Sequence, residues 1–260
     1  MMKNIRFIFL FFFLYAVFIS AQSSPGSFVI PHFKNIDEMM VDDYGNLYLQ
    51  NQSHFNLIKI DTLGNELGRV QLTIPFKVQP IGNHLNIILF SEQAQEIKMY
   101  DQYFTEIQKI NLQHIGYITA AYLQDSQNLW LIDTANRRII QYNFRQERVI
   151  NATTISADIM GIKELLFFNN QFFVLRDDFF EVYDSRWNII FSHALDMPYR
   201  LRRENERILI FASQHIWIYE KGQLQMFKDV QKSTLVDKNN SRIFYLQNGQ
   251  LTTEIIPKSN

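Results

Sequence analysis

The chain has 260 residues, 47% of them hydrophobic and 15% aromatic, and carries a formal net charge of −1 at pH 7. A composition this apolar can fill a large core, which excludes an intrinsically disordered chain, and the near-neutral charge argues against nucleic acid as a partner. The 23 phenylalanines favour strands over helices, and the absence of cysteine excludes disulfides.

The N-terminal residues have the pattern of a secretory signal. Lys3 and Arg6 precede an apolar run, residues 7–19, that is shorter than the roughly 20 residues of a membrane-spanning helix. Small residues follow, so cleavage is expected near Ala21. The sequence predicts a signal peptide at 1–21 and one exported domain at 22–260; an uncleaved anchor is the alternative. Export without disulfides fits a bacterial periplasm, or the cell exterior, better than a eukaryotic route.

Two rows of strand-like segments then repeat along the chain with nearly the same period. The first row consists of triplets that are apolar on both faces, which is typical of strands buried between neighbouring sheets. These triplets begin at residues 47, 87, 129, 172, 209 and 243. The second row alternates polar and apolar residues and closes on a polar residue. The closing residues are Asp61, Asp101, Asn143, Asp184 and Glu220.

Each repeat predicts four strands joined by short turns, which in the first repeat are residues 36–42, 46–51, 56–61 and 66–73. Repeats of about 40 residues have the length of a four-stranded propeller blade. The last repeat has room for only three strands, and residues 27–33 supply a fourth that would cover its edge and close the ring. We therefore predict an all-β, six-bladed β-propeller. An open stacked solenoid, which requires polar capping repeats, is the alternative.

Residues 125–139 of the third repeat read Asp-Ser-Gln-Asn-Leu-Trp-Leu-Ile-Asp-Thr-Ala-Asn-Arg-Arg-Ile. This segment resembles the NHL repeat, in which a turn, a buried strand, an Asp-Thr-x-Asn-x-Arg-Ile segment and an outer strand form one blade. The resemblance implies a six-bladed propeller, and it implies that Asp133, Asn136 and Arg138 brace the blade. It implies little about activity, because the family includes interaction modules, nucleic-acid binders and a few metal-dependent enzymes.

The sequence predicts no catalytic residue, no cofactor and no metal centre. The six histidines are scattered through the repeats without metal-ligand spacing. The predicted innermost strands carry Asp37, Glu38 and Glu164 towards the axis together with several lysines and arginines. Their positive charge would compete with a bound calcium ion.

Arg200 and Arg202 belong to the densest charged run of the chain, and on the channel or a rim they are candidates for binding an anion or an acidic partner. A solvated strand paired with Glu204 and Glu206 is the alternative. The loops after the buried strands are expected on one face of the disc, where they form a candidate partner-binding surface. The candidates there are His54, Glu92, Asn136, Arg137, Arg176, Asp177, Asp178 and His215.

Three functions are open to such a chain. The first is a non-catalytic scaffold of the bacterial cell envelope, monomeric by itself, that holds a protein partner on one face. The second is a periplasmic binder of a small ligand, such as a peptide or an anionic sugar, in the channel. The third is a metal-dependent hydrolase or lyase of the lactonase-like type. The lack of a recognisable catalytic motif favours the first function.

Overall fold

The fold was obtained as a computed structural model, which describes residues 27–29, 36–51, 55–81, 86–231 and 234–257. Within these residues all regular elements are β-strands, and none forms an apolar helix long enough to cross a membrane. In chain order the strands are β1 (Ser27–Val29), β2 (Glu38–Val41), β3 (Leu47–Asn51), β4 (Asn56–Ile60), β5 (Glu66–Gln71), β6 (Lys77–Val78), β7 (Ile87–Ser91), β8 (Glu96–Tyr100), β9 (Glu106–Asn111), β10 (Ile118–Leu123), β11 (Asn128–Asp133), β12 (Arg138–Asn143), β13 (Arg148–Thr154), β14 (Glu164–Phe168), β15 (Gln171–Leu175), β16 (Phe179–Asp184), β17 (Ile189–Ala194), β18 (Arg200–Glu204), β19 (Arg207–Phe211), β20 (His215–Glu220), β21 (Gln223–Asp229), β22 (Leu235–Lys238), β23 (Arg242–Gln247) and β24 (Gln250–Ile255).

The described strands form six antiparallel sheets of four strands each, which we number as blades 1 to 6. Blades 1 to 5 follow the chain, from β2-β3-β4-β5 to β18-β19-β20-β21, and blade 6 has the order β22-β23-β24-β1. First strands of neighbouring blades contact one another, as β10 and β14 do, so the first strand of each blade lies at the axis. The predicted all-β, six-bladed β-propeller is confirmed.

Buried apolar clusters join the blades, one between each pair of neighbours in the described part of the chain. The second strand of a blade lies between two such clusters and contributes alternate residues to each. In β11, Leu129 and Leu131 pack against blade 2, whereas Trp130 and Ile132 pack against blade 4. This two-sided burial is the physical reason why the triplets of the first row are apolar on both faces.

The ring is closed between blade 6 and blade 1. Met39 and Leu49 of blade 1 share a buried cluster with Phe244 and Leu251 of blade 6. The N-terminal strand β1 pairs antiparallel with β24 and completes blade 6 as its outermost strand. The prediction of a closing N-terminal strand is confirmed over residues 27–29, and the rest of the predicted segment, residues 30–33, lies outside the described residues. The solenoid alternative is wrong, because a closed ring has no end repeats to cap.

The polar residues that close the second row make the turns between third and fourth strands. Asp61 Oδ1 accepts the backbone N–H groups of Leu63 at 2.8 Å and Asn65 at 2.9 Å. In blade 4, Asp184 Oδ1 likewise accepts the backbone N–H groups of Arg186 at 2.9 Å and Asn188 at 2.8 Å. A carboxylate can satisfy the backbone of a tight turn in this way, which explains why the row ends on Asp so regularly.

The disc has two faces that differ in their loops. The connection face carries the loops between second and third strands together with the segments that link one blade to the next. Backbone hydrogen bonds hold these loops side by side: Leu112 N donates to Gln95 O at 2.8 Å, and Leu195 N donates to Asp178 O at 2.9 Å. The turn face carries the hairpin turns between first and second strands and between third and fourth strands. The predicted partner-binding loops, as far as the structure describes them, belong to the connection face.

Candidate functional site

The two arginines predicted to receive an anion lie in β18 beside the axis, and both are buried. Arg200 is 3% exposed and Arg202 is 5% exposed. Arg200 donates to the backbone carbonyl of Met39 and lies 3.4 Å from Glu38 Oε2. Arg200 is therefore engaged by groups of blade 1 across the axis. Burial alone would lower its pKa, but the negative charges of Glu38 and its neighbours raise that pKa, so the guanidinium stays charged.

Arg202 occupies the centre of a second set of contacts. Its Nη1 donates to Val41 O at 2.6 Å and lies 3.3 Å from Asp237 Oδ1, while Nη2 donates to Asp43 Oδ1 at 3.2 Å. Asp237, 1% exposed, also accepts the backbone N–H of Val41 at 2.7 Å and of Lys238 at 2.8 Å. Blades 1, 5 and 6 thus meet in one hydrogen-bonded network.

We call this set the axial arginine network: Glu38, Asp43, Arg200, Arg202 and Asp237. The predicted alternative for the arginines, a solvated strand paired with Glu204 and Glu206, differs from the structure. Glu204 pairs with Lys238, and Glu206 accepts a hydrogen bond from Asn169 at 3.1 Å. Both arginines are instead bound internally, because the inner strand of blade 5 faces the carboxylates of blades 1 and 6.

The channel widens into a cavity of about 790 Å³ at its connection-face end, which we call the axial vestibule. Its wall combines polar side chains from the innermost strands with apolar residues and with groups from the rim. A second cavity of about 260 Å³ lies at the turn-face end. Gln79 and Glu164 line both cavities, so the two are parts of one channel. Cavities of several hundred cubic ångströms are the usual size of small-molecule sites.

An ion pair spans the inner end of the vestibule. Lys77 Nζ of blade 2 lies 3.3 Å from Glu164 Oε1 of blade 4 and donates to Lys163 O at 2.5 Å. The other oxygen of Glu164 accepts the backbone N–H of Leu201 in blade 5 at 2.5 Å. Glu164 is 8% exposed, so its charge is balanced inside the protein by Lys77 and by a backbone donor.

The rim of the vestibule includes one of the predicted residues, Glu92. Its Oε1 accepts the hydroxyl of Tyr117 at 2.9 Å, and this hydrogen bond raises the pKa of the Tyr117 phenol. Tyr117 N in turn donates to Asp133 Oδ1 at 3.2 Å. The rim is therefore connected to the polar group that braces blade 3.

That brace centres on Asp133, whose side chain is fully buried. Its Oδ2 accepts hydrogen bonds from Asn136 Nδ2 and Arg138 Nε, both at 2.8 Å. Burial would raise the pKa of Asp133, but these hydrogen bonds hold it below its usual value. Gly116 passes close beside the carboxylate, and a Cβ at that position would overlap it. Asn136 is thus a bracing residue as well as a predicted site residue.

Two predicted arginines on the connection face are held by backbone carbonyl groups. Arg137 Nη2 donates to the carbonyls of residues 156 and 157 at 3.2 and 3.0 Å. Arg176 donates to Asp158 O at 2.5 Å and to Met160 O, and its Nε donates to Glu181 Oε2 at 2.7 Å. Both arginines therefore fix the segment that links blades 3 and 4.

The remaining predicted residues are spread over the same face. Asp177 Oδ1 pairs with Lys163 Nζ at 2.8 Å, and Lys163 lines the vestibule, so Asp177 lies beside its rim. Asp178 is exposed. His215 lies on blade 5, where its Nε2 is 3.3 Å from Asp229 Oδ1. His54 lies outside the described residues. Of these residues, Glu92 lines the vestibule and Asp177 pairs with a residue that lines it, whereas Arg176 and His215 make their contacts elsewhere on the face.

Within the described residues no three His, Cys, Asp or Glu side chains are grouped so that they could hold a metal ion. Several residues of this face were not predicted from the sequence: Tyr117 and Thr119, which line the vestibule, and the exposed Met160 and Met197. The methionines lie in linking segments outside both repeat rows. Thr119 is the extra residue of a β-bulge in β10, and only the register between β10 and β11 reveals this bulge.

Comparison with solved structures finds similar folds at low sequence identity. A streptogramin B lyase structure matches with a TM-score of 0.57 and 10% identity, covering 90% of this chain and 88% of its own. Virginiamycin B lyase from Staphylococcus aureus matches with a TM-score of 0.53 and 10% identity, covering 91% and 89%. BamB from Moraxella catarrhalis is a weaker match, with a TM-score of 0.45, 11% identity and 84% of each chain.

Identities of this size show the β-propeller fold and nothing about activity. No protein-family model matches the sequence, and no curated protein sequence matches it.

Proposed function

We propose that the protein is a non-catalytic, exported β-propeller that holds a protein partner of the bacterial cell envelope on its connection face. A group of exposed apolar side chains on that face, in the sector of blades 3 to 5, carries the proposal. Their exposed fractions are 49% for Tyr117, 62% for Met160, 44% for Phe179 and 65% for Met197.

The chemistry of this sector is that of a protein interface. Single exposed apolar residues are ordinary on a protein surface, but methionine, aromatic residues and arginine are enriched together where proteins meet. Here Met160 lies beside Arg176, whose guanidinium bonds its carbonyl and is thereby fixed before a partner arrives. A fixed side chain loses little entropy on binding, which favours affinity.

The turn face supplies the matched control. Tyr44, Leu63 and Tyr103 are also strongly exposed, each in a hairpin turn of blade 1 or blade 2. They have similar size and exposure to the methionines, but they lie on the opposite side of the disc. Aspartate at two of these positions introduces the same number of charges without touching the proposed face.

The test is capture of the partner in the native host. Wild-type protein, Met160→Asp with Met197→Asp, and Leu63→Asp with Tyr103→Asp are tagged, cross-linked in cells and purified from the envelope fraction. We expect one stoichiometric partner with the wild type and with the turn-face variant, and its loss with the connection-face variant. Loss of the partner with the turn-face variant alone would place the partner on the turn face and contradict the proposal. Recovery of the wild type without a partner would refute it.

Export and an NHL-type repeat are parts of the same proposal. Export is supported by the charged, apolar and small residues in order along 1–21. The NHL-type repeat is supported by the contacts of Asp133 with Asn136 and Arg138. Protein from the periplasmic fraction is expected to begin at Gln22 on N-terminal sequencing. Retention of residues 1–21 in a membrane fraction would refute cleavage.

A further inference from the structure

The exposed apolar residues near blade 4 lie on segments of the connection face that are bonded to one another. Arg176 donates to the carbonyls of Asp158 and Met160, which fixes the link between blades 3 and 4 against the loop before β16. In the same loop, Asp178 O accepts the backbone N–H of Leu195 at 2.9 Å, which fixes the link between blades 4 and 5. We call these three segments together the methionine surface: residues 158–160, 176–179 and 195–197.

Folding does not account for the apolar side chains of this surface. Met160, Phe179 and Met197 are all exposed, so the core does not require them. Met197 also adopts a φ of 46°, in the left-handed region that favours glycine or asparagine. Neither the core nor the backbone therefore selects methionine at that position. A flexible and polarizable methionine side chain does suit a surface that adapts to a bound segment.

A carboxylate accompanies each of the three apolar side chains. Asp158 Oδ1 accepts the backbone N–H of Met160 at 2.9 Å, and Asp178 and Asp196 each directly precede one of the other two. All three aspartates are exposed, and within the described residues none of them forms an ion pair. Asp196 Oδ2 accepts the hydroxyl of Ser213 at 2.7 Å, a neutral donor that leaves the charge uncompensated. The three negative charges can therefore meet a partner.

The cations near this surface are bound by protein groups. Arg176 pairs with Glu181 at 2.7 Å, and Lys163 pairs with Asp177 at 2.8 Å. Arg137 donates to two backbone carbonyls of the link between blades 3 and 4. Together with the three aspartates above, the surface and these neighbouring groups carry five carboxylates and three cations. The surface therefore has a negative potential around an apolar centre.

We infer that the partner presents a basic segment with an apolar side chain, which packs on the three exposed apolar residues while its lysine or arginine side chains pair with the three uncompensated aspartates. The inference rests on the proposed function for the existence of a partner, and it adds the chemistry of the segment that the partner presents. The apolar centre supplies most of the affinity, and the charged rim sets the rate of association and the choice of partner. An acidic segment would meet like charges and be rejected.

The test is fluorescence anisotropy of two labelled peptide amides with the full mature chain. The basic probe is Ser-Lys-Leu-Lys-Phe-Lys-Leu-Lys-Ser, and the acidic probe has glutamate in place of each lysine. We expect saturable binding of the basic probe alone, and weaker binding in about 1 M than in about 0.1 M NaCl, because the screening length falls from about 10 Å to about 3 Å. The absence of saturable binding of the basic probe, or equal binding of the two probes, overturns the inference.

Variants that remove charge assign the binding to this surface. The first variant combines Asp158→Asn, Asp178→Asn and Asp196→Asn, and we expect it to bind the basic probe about tenfold more weakly, since each exposed ion pair contributes little by itself. The matched control removes three exposed charges from the turn face, by Asp125→Asn, Glu147→Gln and Glu206→Gln, and should bind as the wild type does. Equal weakening by both triple variants would reduce the effect to net charge and overturn the inference. Thermal unfolding verifies the fold of each variant.

A further variant, Met160→Ser with Met197→Ser, tests the apolar contact. We expect about tenfold weaker binding of the basic probe with the salt dependence of the wild type, because the carboxylates remain. Unchanged affinity would overturn the apolar part of the inference. Capture in the native host separates these results from the proposed function. A partner that the wild type and the Asp-to-Asn variant capture equally would overturn the basic chemistry and leave the proposed function standing, whereas recovery of the wild type without a partner would refute the proposed function itself.

Discussion

Replacing Arg202 with methionine is expected to destabilise the protein by about 3–5 kcal/mol, the usual effect of leaving a buried charge without its partner. Methionine has a similar length and apolar stem, so the packing around the strand is largely kept. The substitution removes the contacts of Arg202 with Asp237, Asp43 and the Val41 carbonyl.

The magnitude follows from what remains around Asp237. The carboxylate is 1% exposed, and among the described residues it keeps the backbone N–H groups of Val41 and Lys238 as its donors. The buried Val41 carbonyl loses its donor as well, a further cost of about 1–3 kcal/mol if water cannot replace it. Because domains are stable by about 5–15 kcal/mol, a loss of this size is a large fraction of the whole.

The assay is urea unfolding at pH 7, followed by tryptophan fluorescence and by circular dichroism. Arg203→Met is the control, since Arg203 is the next residue of the same strand, is exposed, and stacks on Phe168 with 3.6 Å between its guanidinium carbon and the ring centre. Its loss is expected to cost about 0.5–1 kcal/mol. Arg202→Met combined with Asp237→Asn should cost less than the sum of the two single changes. A midpoint for Arg202→Met equal to that of the control would refute the reasoning.

Three further predictions concern the brace of blade 3 and the closure of the ring. The pKa of Asp133 is lowered in the folded protein, so the stabilisation by its carboxylate is fully present above the unfolded pKa of about 3.9 and is lost as pH falls through the folded pKa. The urea midpoint of Asp133→Asn should therefore fall less at acid pH than the midpoint of the wild type does. Gly116→Ala should destabilise by about 1–3 kcal/mol, because its Cβ meets that carboxylate, and an unchanged melting temperature would contradict this. Deleting residues 22–33 should expose the edge of β24 and produce aggregates in size-exclusion chromatography, whereas a stable monomer would contradict the closing role of β1.

Much of the fold could be predicted because propeller blades repeat the same burial pattern. The triplet around Trp130 is apolar on both faces because each face meets a different blade, and that pattern is visible in any single repeat. The aspartates at 61 and 184 mark turns through hydrogen bonds to residues only two and four positions away. Local contacts of this kind leave a local signal in the sequence.

The contacts between residues at the axis could not be predicted from the sequence. Arg202 meets Asp237 and Asp43, which are 35 and 159 positions away in the chain, so their pairing depends on how three blades meet. The bulge at Thr119 likewise depends on the register between two strands and on Gln95 of another blade. Sequence reasoning therefore identified Arg200 and Arg202 as charged and near the axis, but it left open which groups they bind.

The most direct test of the central claim, that the connection face holds a protein partner, is site-specific photocross-linking in living cells. A photoreactive phenylalanine derivative is placed at position 160 on the connection face and, in a second strain, at position 103 on the turn face. We predict a single adduct of defined mass from position 160 and none from position 103. An adduct from position 103 alone, or none from either position, would contradict the claim.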